Sequence, residues 1–310
     1  MLTLKPATDF KPGERGAFLG LPMETYLNAP GANRSLLATV ADRPSHHSKD
    51  WPGSAAQEWG TLFNDLLFFG TRNYYVQPET YESTPKATKA NPFPEPEIKP
   101  WSGNATVCKE WVAAHKDKPV IPATGSHSED WLNKALAVCQ ANARVQKLLA
   151  DAQFEVTMFG GGPEEYKWPL AKCRPDIVKV LPDRVIFGDL KTTIDANTQG
   201  FARHILKYGY HKQAAHCRQI LNNLAKDTPL EYYFIILEKG EDPRVQVRRL
   251  AARAMDLGDL ALDDEWKIYQ RCKLANHWPD FADEPEPHHV GEIDVPDYLY
   301  PDDADEITIS

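Results

Sequence analysis

Residues 173–193 read CRPDIVKVLPDRVIFGDLKTT. Runs of β-branched and apolar residues flank the turn-forming Leu181-Pro-Asp-Arg184, which predicts strands over Leu170–Val180 and Arg184–Thr192 joined by a tight turn. Side chains at i and i+2 of a strand share a face, so Asp189 and Lys191 project together while Leu190 turns to the core. The hairpin carries Asp176 alongside them. Carboxylates flanked by Ile177, Val178, Val185, Ile186 and Phe187 are costly unless paired or metal-bound. Asp176 and Asp189 are therefore read as a functional pair, and not as a solvated, charge-paired face. Arg174 is expected on the face opposite Asp176 and is not counted as catalytic.

The chemistry of this set is specific. Two carboxylates hold one or two hard divalent cations through oxygen, as Mg²⁺ prefers, with Mn²⁺ as a substitute. The main-chain carbonyl of Leu190 is a further candidate ligand. Glu155, on an expected preceding strand Phe154–Phe159, is another. A cation there acidifies a coordinated water and offsets charge on phosphoryl oxygens. Lys191 orients that water or stabilises the transition state.

Outward from this stretch the chain changes character. Apolar residues at helical spacing (Trp59, Leu62, Phe63, Leu66, Leu67) predict a helix over Ser54–Phe69 with one buried face. A short helix is expected around Asn33–Ala41, and others over about Asn104–Lys116 and Ser128–Ala150, the last with its cap at Ser126 or Ser128. The proline-rich Gln77–Trp101 reads as an exposed loop. After the hairpin come helices over about Asp195–Lys207 and Gly209–Leu224, strands Glu231–Glu238 and Val245–Leu250, and a helix over about Ala251–Asn276. This order predicts an α/β (mixed α+β) fold with a central mixed β-sheet flanked by helices. The expected division is an N-terminal helical and loop region, 1–125, that lends the helix at 54–69 to a core at 126–279, followed by an acidic tail, 280–310.

Charge is unevenly spread. The net charge is −9, yet the tail from Asp280 holds eleven acidic residues and no Lys or Arg, so residues 1–279 carry +2. Lys172–Arg218 holds nine Lys or Arg against four Asp, which suits a site that meets phosphate. The five scattered cysteines form no C-x-x-C pair, which argues against a zinc ribbon, a disulfide framework or an iron–sulfur cluster. Neither a membrane-spanning run nor a signal-peptide layout is present, so a cytoplasmic protein is expected.

The segment Cys173-Arg-Pro-Asp…Gly188-Asp-Leu-Lys-Thr-Thr193 resembles the nuclease core of RecE-type exodeoxyribonucleases, in the PD-(D/E)XK group that includes the RecB nuclease domain and lambda exonuclease. Tyr210-His211-Lys212-Gln213 is similar to the Y-H-x-Q of that family, and Gly60-Thr61-Leu62-Phe63 to its upstream helix. His277-Trp278-Pro279 with Ile293, Pro296, Tyr298 and Leu299 is similar to its C-terminal signature. The resemblance implies a restriction-endonuclease-like core in which Asp176 and Asp189 are metal ligands, Lys191 the catalytic lysine, Glu155 the preceding acidic residue and Gln213 the glutamine that organises the site. It also implies 5′ to 3′ digestion of linear duplex DNA to leave 3′ single strands for recombination, an annealing protein as partner, and a homo-oligomeric ring. Two positions depart from the pattern. Asn64 stands where a metal-site histidine is usual, and Cys217 where tyrosine is usual. Asn64 still offers a carbonyl oxygen to a metal, whereas Asp65 points about 100° away on the helix.

Arg203, Lys207, Lys212 and Arg218 fall at spacings that form a phosphate-contacting face of the later helices, with His211 as a further DNA contact. Trp168 is the one tryptophan near enough to stack on a base. An endonuclease on the same core, and a nuclease-like DNA-binding or assembly protein with impaired catalysis, are the competing readings.

Overall fold

The computed structural model describes residues 1–48, 54–89, 91–161 and 170–280. Trp168, the acidic stretch from residue 281 and the signature residues Ile293 to Leu299 lie outside the described residues. The strands are β1 (Leu4–Pro6), β2 (Gly16–Leu19), β3 (Tyr75–Gln77), β4 (Thr80–Ser83), β5 (Glu97–Pro100), β6 (Val120–Pro122), β7 (Gln153–Phe154), β8 (Thr157–Gly161), β9 (Leu170–Cys173), β10 (Ile177–Val180), β11 (Val185–Thr193), β12 (Leu230–Glu238) and β13 (Arg244–Arg249). The α-helices are α1 (Met23–Asn28), α2 (Arg34–Asp42), α3 (Ala55–Phe69), α4 (Thr106–Ala114), α5 (Glu129–Ala141), α6 (Ala143–Leu149), α7 (Thr198–Lys207), α8 (Tyr210–Leu224) and α9 (Ala252–Ala275).

Strand β11 is the axis of the molecule. It pairs with β12 in parallel along its whole length, from Val185↔Leu230 to Thr193↔Glu238. It pairs antiparallel with β10 only from Val185↔Val180 to Gly188↔Ile177. The sheet order is β13-β12-β11-β10-β7. A parallel pair needs a long crossover, and α7 and α8 supply it. One face of this sheet buries Val185, Phe187, Tyr232, Phe234 and Ile236 under α8 and α9. The other buries Ile177, Leu190, Ile235 and Leu237 under α3, α5 and α6. Burial on both faces explains why these strands read as nearly continuous apolar runs.

A second sheet, β1-β2-β8-β9, joins two N-terminal strands to two from the middle of the chain. The chain changes sheets twice to build it, and this splits two expected strands. Phe154–Phe159 breaks into β7 and β8 at Glu155, whose φ of +50° is uncommon for a residue other than glycine. Leu170–Val180 breaks into β9 and β10 at Arg174-Pro175-Asp176, where proline removes a ladder donor. The two breaks are fastened together, since the Glu155 amide donates to the Asp176 carbonyl at 2.9 Å.

Local signals explain other boundaries. Ser54 and Gln57 form a capping box on α3, and Ser128, not Ser126, caps α5 by accepting from the Trp131 amide at 3.1 Å. The expected helix Ser128–Ala150 is broken because the Asn142 side chain accepts from the Arg144 and Val145 amides, at 3.0 and 3.2 Å, and starts α6. The stretch Gln77–Trp101 holds a pairing of β4 with β5, which its prolines concealed. All five cysteines are free and buried. Among the described residues no helix is long and apolar enough to cross a membrane.

Helices α8 and α9 meet at Gly258, where an added Cβ would lie 2.4 Å from the His211 carbonyl oxygen. Gly258→Ala must push α9 off α8, and we expect it to cost about 1–3 kcal/mol of unfolding free energy. Urea denaturation checks this; an unchanged midpoint and slope would mean that the two helices are not in close contact there.

Candidate active site

β10 stops pairing with β11 at Gly188, and the site occupies the space that opens beyond. The Leu190 amide, left without a ladder partner on that edge, donates to Asp176 Oδ2 at 2.7 Å. In a strand the carbonyl of a residue lies on the same edge as its amide, so the Leu190 carbonyl faces this opening too. Asp189 and Lys191 share the opposite face from Leu190, and their side chains form an ion pair. Gln213, on α8, ties the set together: its Nε2 donates to Asp189 Oδ1 and its Oε1 accepts from the Lys191 ammonium, both at 3.3 Å. The expected grouping of Asp176, Asp189, Lys191 and Gln213 is therefore present.

A cavity of about 510 Å³ opens over this floor. Asp176, Glu155 and Gln213 line it, with Asn64 from α3, Asn33 and Arg34 from α2, and Tyr208 and Tyr210 from the α7–α8 turn. Asp189 is almost wholly buried behind them, at 2% exposure. Burial, and then the charge of Asp189, push the Asp176 carboxyl well above the ordinary carboxylate range. Burial disfavours the charged Lys191, but Asp189 and Asp176 outweigh it and raise the ammonium above its ordinary value. Lys191 thus stays cationic, with its Nζ 4.6 Å from the centre of the Tyr210 ring, a favourable cation–π distance.

Two adjacent carboxylates that share one ammonium are under-neutralised, and a divalent cation would relieve both the burial and the repulsion at Asp176. Among the described residues no group of three or more His, Cys, Asp or Glu is spaced to hold a metal. The donors present are two carboxylates, a carbonyl and the amide oxygen of Asn64. That set fits a hard ion that keeps several waters, as Mg²⁺ does.

The remaining expectations divide. Asn64 lines the cavity and Asp65 does not; Asp65 instead accepts from Asn73 at 3.4 Å. Glu155 reaches the cavity, but its Oε2 is held by Arg174 at 2.7 Å. Arg174 is a correction. It does not point away from the site: residues 174 and 176 are two apart, so alternation itself puts them on one face, and the expectation of opposite faces misapplied it. Its guanidinium lines the cavity and also donates to Thr157 Oγ1 and to the Leu21 carbonyl.

His211 and Lys212 are corrections as well. His211 is 6% exposed, with Nδ1 3.1 Å from the Ile205 carbonyl, and Lys212 is paired with Glu265 at 2.7 Å. Arg218 is paired with Asp256 and Asp259. The cause is the packing of α8 against the acidic side of α9, which spacing along one helix does not reveal. Arg203 and Lys207, on α7, are exposed. His216 is buried against the Lys172 carbonyl, and burial pushes its pKa down to about 4.

The sign at Asp176 gives a test. Its raised value means that its stabilising contribution is full below the unfolded carboxylate pKa and is lost as pH rises through the folded value. Asp176→Asn, without divalent cation, should therefore melt a few degrees above the native protein at about pH 8, with the gap closing toward about pH 4. Mg²⁺ should raise the native melting temperature and leave the variant unmoved. Equal stabilisation of both by Mg²⁺ would remove Asp176 from the metal site.

No curated protein matches the sequence. Among solved structures, that of a protein from Eubacterium rectale described as a "Putative exonuclease" superposes with a TM-score of 0.55 at 13% identity, covering 90% of this chain and 97% of that one. At that identity the likeness shows the fold: the mixed sheet flanked by helices expected from the order of the elements, in the restriction-endonuclease-like arrangement that the resemblance implied. A family model for the PDDEXK-like domain of unknown function (DUF3799) matches residues 107–287. That is more than half of the chain, and it includes β10, β11 and α8, which carry the carboxylates, Lys191 and Gln213; the chain belongs to this family, within the PD-(D/E)XK nuclease superfamily.

Proposed function

We propose that the protein is a Mg²⁺-dependent exonuclease that hydrolyses linear double-stranded DNA from its 5′ ends, leaving 3′ single strands for recombination. The observation that carries this reading is the linked set Asp176–Asp189–Lys191–Gln213, of which Asp176 and Gln213 line an open cavity with Asp189 buried behind them. The RecE-type resemblance of residues 173–193 and 210–213 supplies the polarity and the recombination role, together with an annealing partner and a ring-shaped homo-oligomer.

The residues divide the work. Asp176 and Asp189, with the Leu190 carbonyl and Asn64, would hold the cation. When bound, it acidifies water and neutralises charge gathering on the phosphate. Gln213 fixes Asp189 and Lys191 in one geometry, so neither need reorganise when substrate arrives. Lys191 carries a positive charge toward the phosphate, where charge grows in the transition state. Glu155, held by Arg174, lies at the edge of the same cavity and adds a carboxylate.

A second reading, a nuclease-like DNA-binding protein with impaired catalysis, is favoured by one observation: Asn64 lines the cavity where the resemblance leads one to expect histidine. Digestion of 5′-labelled and 3′-labelled linear duplexes beside closed circular DNA, in Mg²⁺ or EDTA, separates the possibilities. The expected result is loss of 5′ label from linear DNA alone, in Mg²⁺ only. Lys191→Ala should lower kcat about 10²–10³-fold with little change in DNA affinity. Cutting of circular DNA would make it an endonuclease. Inactivity of the native chain, with DNA binding kept and activity gained in Asn64→His, would favour the second reading.

A further inference from the structure

The α7–α8 turn presents side chains that the proposed reaction does not use. Tyr208, just past the end of α7, lines the cavity yet is 56% exposed. Gly209 follows with φ +66°, a left-handed conformation that glycine adopts without strain. The turn it makes stacks the Tyr208 ring on that of Tyr210, with centroids 5.7 Å apart and planes at 29°. Tyr210 is anchored from behind by Phe201 and Phe234, at 6.0 and 5.9 Å, and it is the ring that carries the Lys191 ammonium. Rings therefore run without interruption from solvent to the catalytic lysine.

The inner ring is accounted for by packing and the outer one is not. Tyr210 is partly buried and packed against the core, whereas Tyr208 is exposed and stacks on its outer side. The neighbours of Tyr208 are His204, at 5.6 Å between rings, and Lys207, whose ammonium is 5.4 Å from the ring centre. Lys207 and Arg203 are exposed, and among the described residues no ion pair engages either. Across the cavity mouth, α1 presents Met23 and Leu27, both about half exposed and both lining the same cavity. An exposed aromatic ring with the Lys207 ammonium beside it, a second exposed cation on the same helix and apolar side chains lining the same cavity matches what an unpaired nucleic-acid strand requires. The cations follow phosphates while the ring covers a base.

We propose that Tyr208 is a nucleobase-stacking residue that takes the base of a terminal or unpaired nucleotide and directs the adjoining phosphate toward Asp176 and Lys191. The proposal rests on the nuclease reading and narrows its substrate. A base inside a duplex has both faces covered by its neighbours, so only a strand end or a single strand offers a free face. Every base has such a face, so the site is indifferent to sequence.

The test uses the full chain, in EDTA, with oligonucleotides that carry 2-aminopurine in a single-stranded end or in the interior of a duplex. Stacking on Tyr208 should quench the probe in the single-stranded end and leave the interior probe unchanged. Tyr208→Phe should behave as the native protein. Tyr208→Ala, and Tyr208→Leu, which keeps bulk without a π-face, should lose the quenching and bind the single-stranded end about tenfold more weakly. In Mg²⁺ both should raise KM more than they lower kcat. Melting temperatures equal to that of the native protein would verify the fold of each variant, as the exposure of Tyr208 leads us to expect. Native quenching and affinity in Tyr208→Ala, from a protein that does cleave DNA, would overturn the stacking role and leave the nuclease reading standing. A native chain that neither binds nor cleaves any of these DNAs would overturn both.

Discussion

A single hydrogen bond, from the Leu190 amide to the Asp176 carboxylate at 2.7 Å, is the constraint around which the site is organised. It takes the place of the ladder bond that β10 would have made had it continued past Ile177. The pairing ends, the cavity opens at that edge, and a carboxylate is held where a strand would otherwise run. The cost is electrostatic. Asp176 and Asp189 are forced together, the first at the edge of the cavity and the second almost wholly buried and paired with Lys191. Such a set is poorly stabilised on its own and strongly so when a second positive charge arrives. The geometry thus sets metal-free stability against readiness to bind a metal, a familiar tension at active sites.

The rest of the architecture serves to keep that edge open and the carboxylates fixed. The double change of sheets, at Glu155 and at Arg174-Pro175-Asp176, leaves two short irregular segments side by side at the mouth of the cavity. Arg174 binds them to each other and to the Leu21 carbonyl. Glu155 keeps an unfavourable left-handed backbone because its amide has a partner there, in the Asp176 carbonyl. Strain of this kind concentrates at functional positions, where the surroundings over-determine the conformation.

Charge on the later helices is arranged to the same end. The basic residues of α8 are spent on α9, with Lys212 on Glu265 and Arg218 on Asp256 and Asp259, and this clamps the two helices that cover one face of the sheet. Arg203 and Lys207, which no ion pair engages among the described residues, are exposed on α7, and Lys207 lies beside the ring of Tyr208. A basic stretch in sequence therefore separates into a structural half and an exposed half.

The sequence by itself determined the hairpin, the shared face of Asp189 and Lys191, and the buried face of α3. Each of these rests on local signals: the turn residues at 181–184, a period of two for the alternation of Asp189, Leu190 and Lys191, and about 3.6 for α3. The approach of Gln213 and Asn64 to the cavity was legible only through resemblance to a family, since nothing local brings residues so far apart in sequence together. Tertiary structure alone decided the breaks at Glu155 and Pro175, the burial of His211 and the pairing of Lys212 with Glu265. Those outcomes depend on which second sheet or helix lies opposite, and a side chain responds to what faces it across space, which its own neighbours along the chain do not encode.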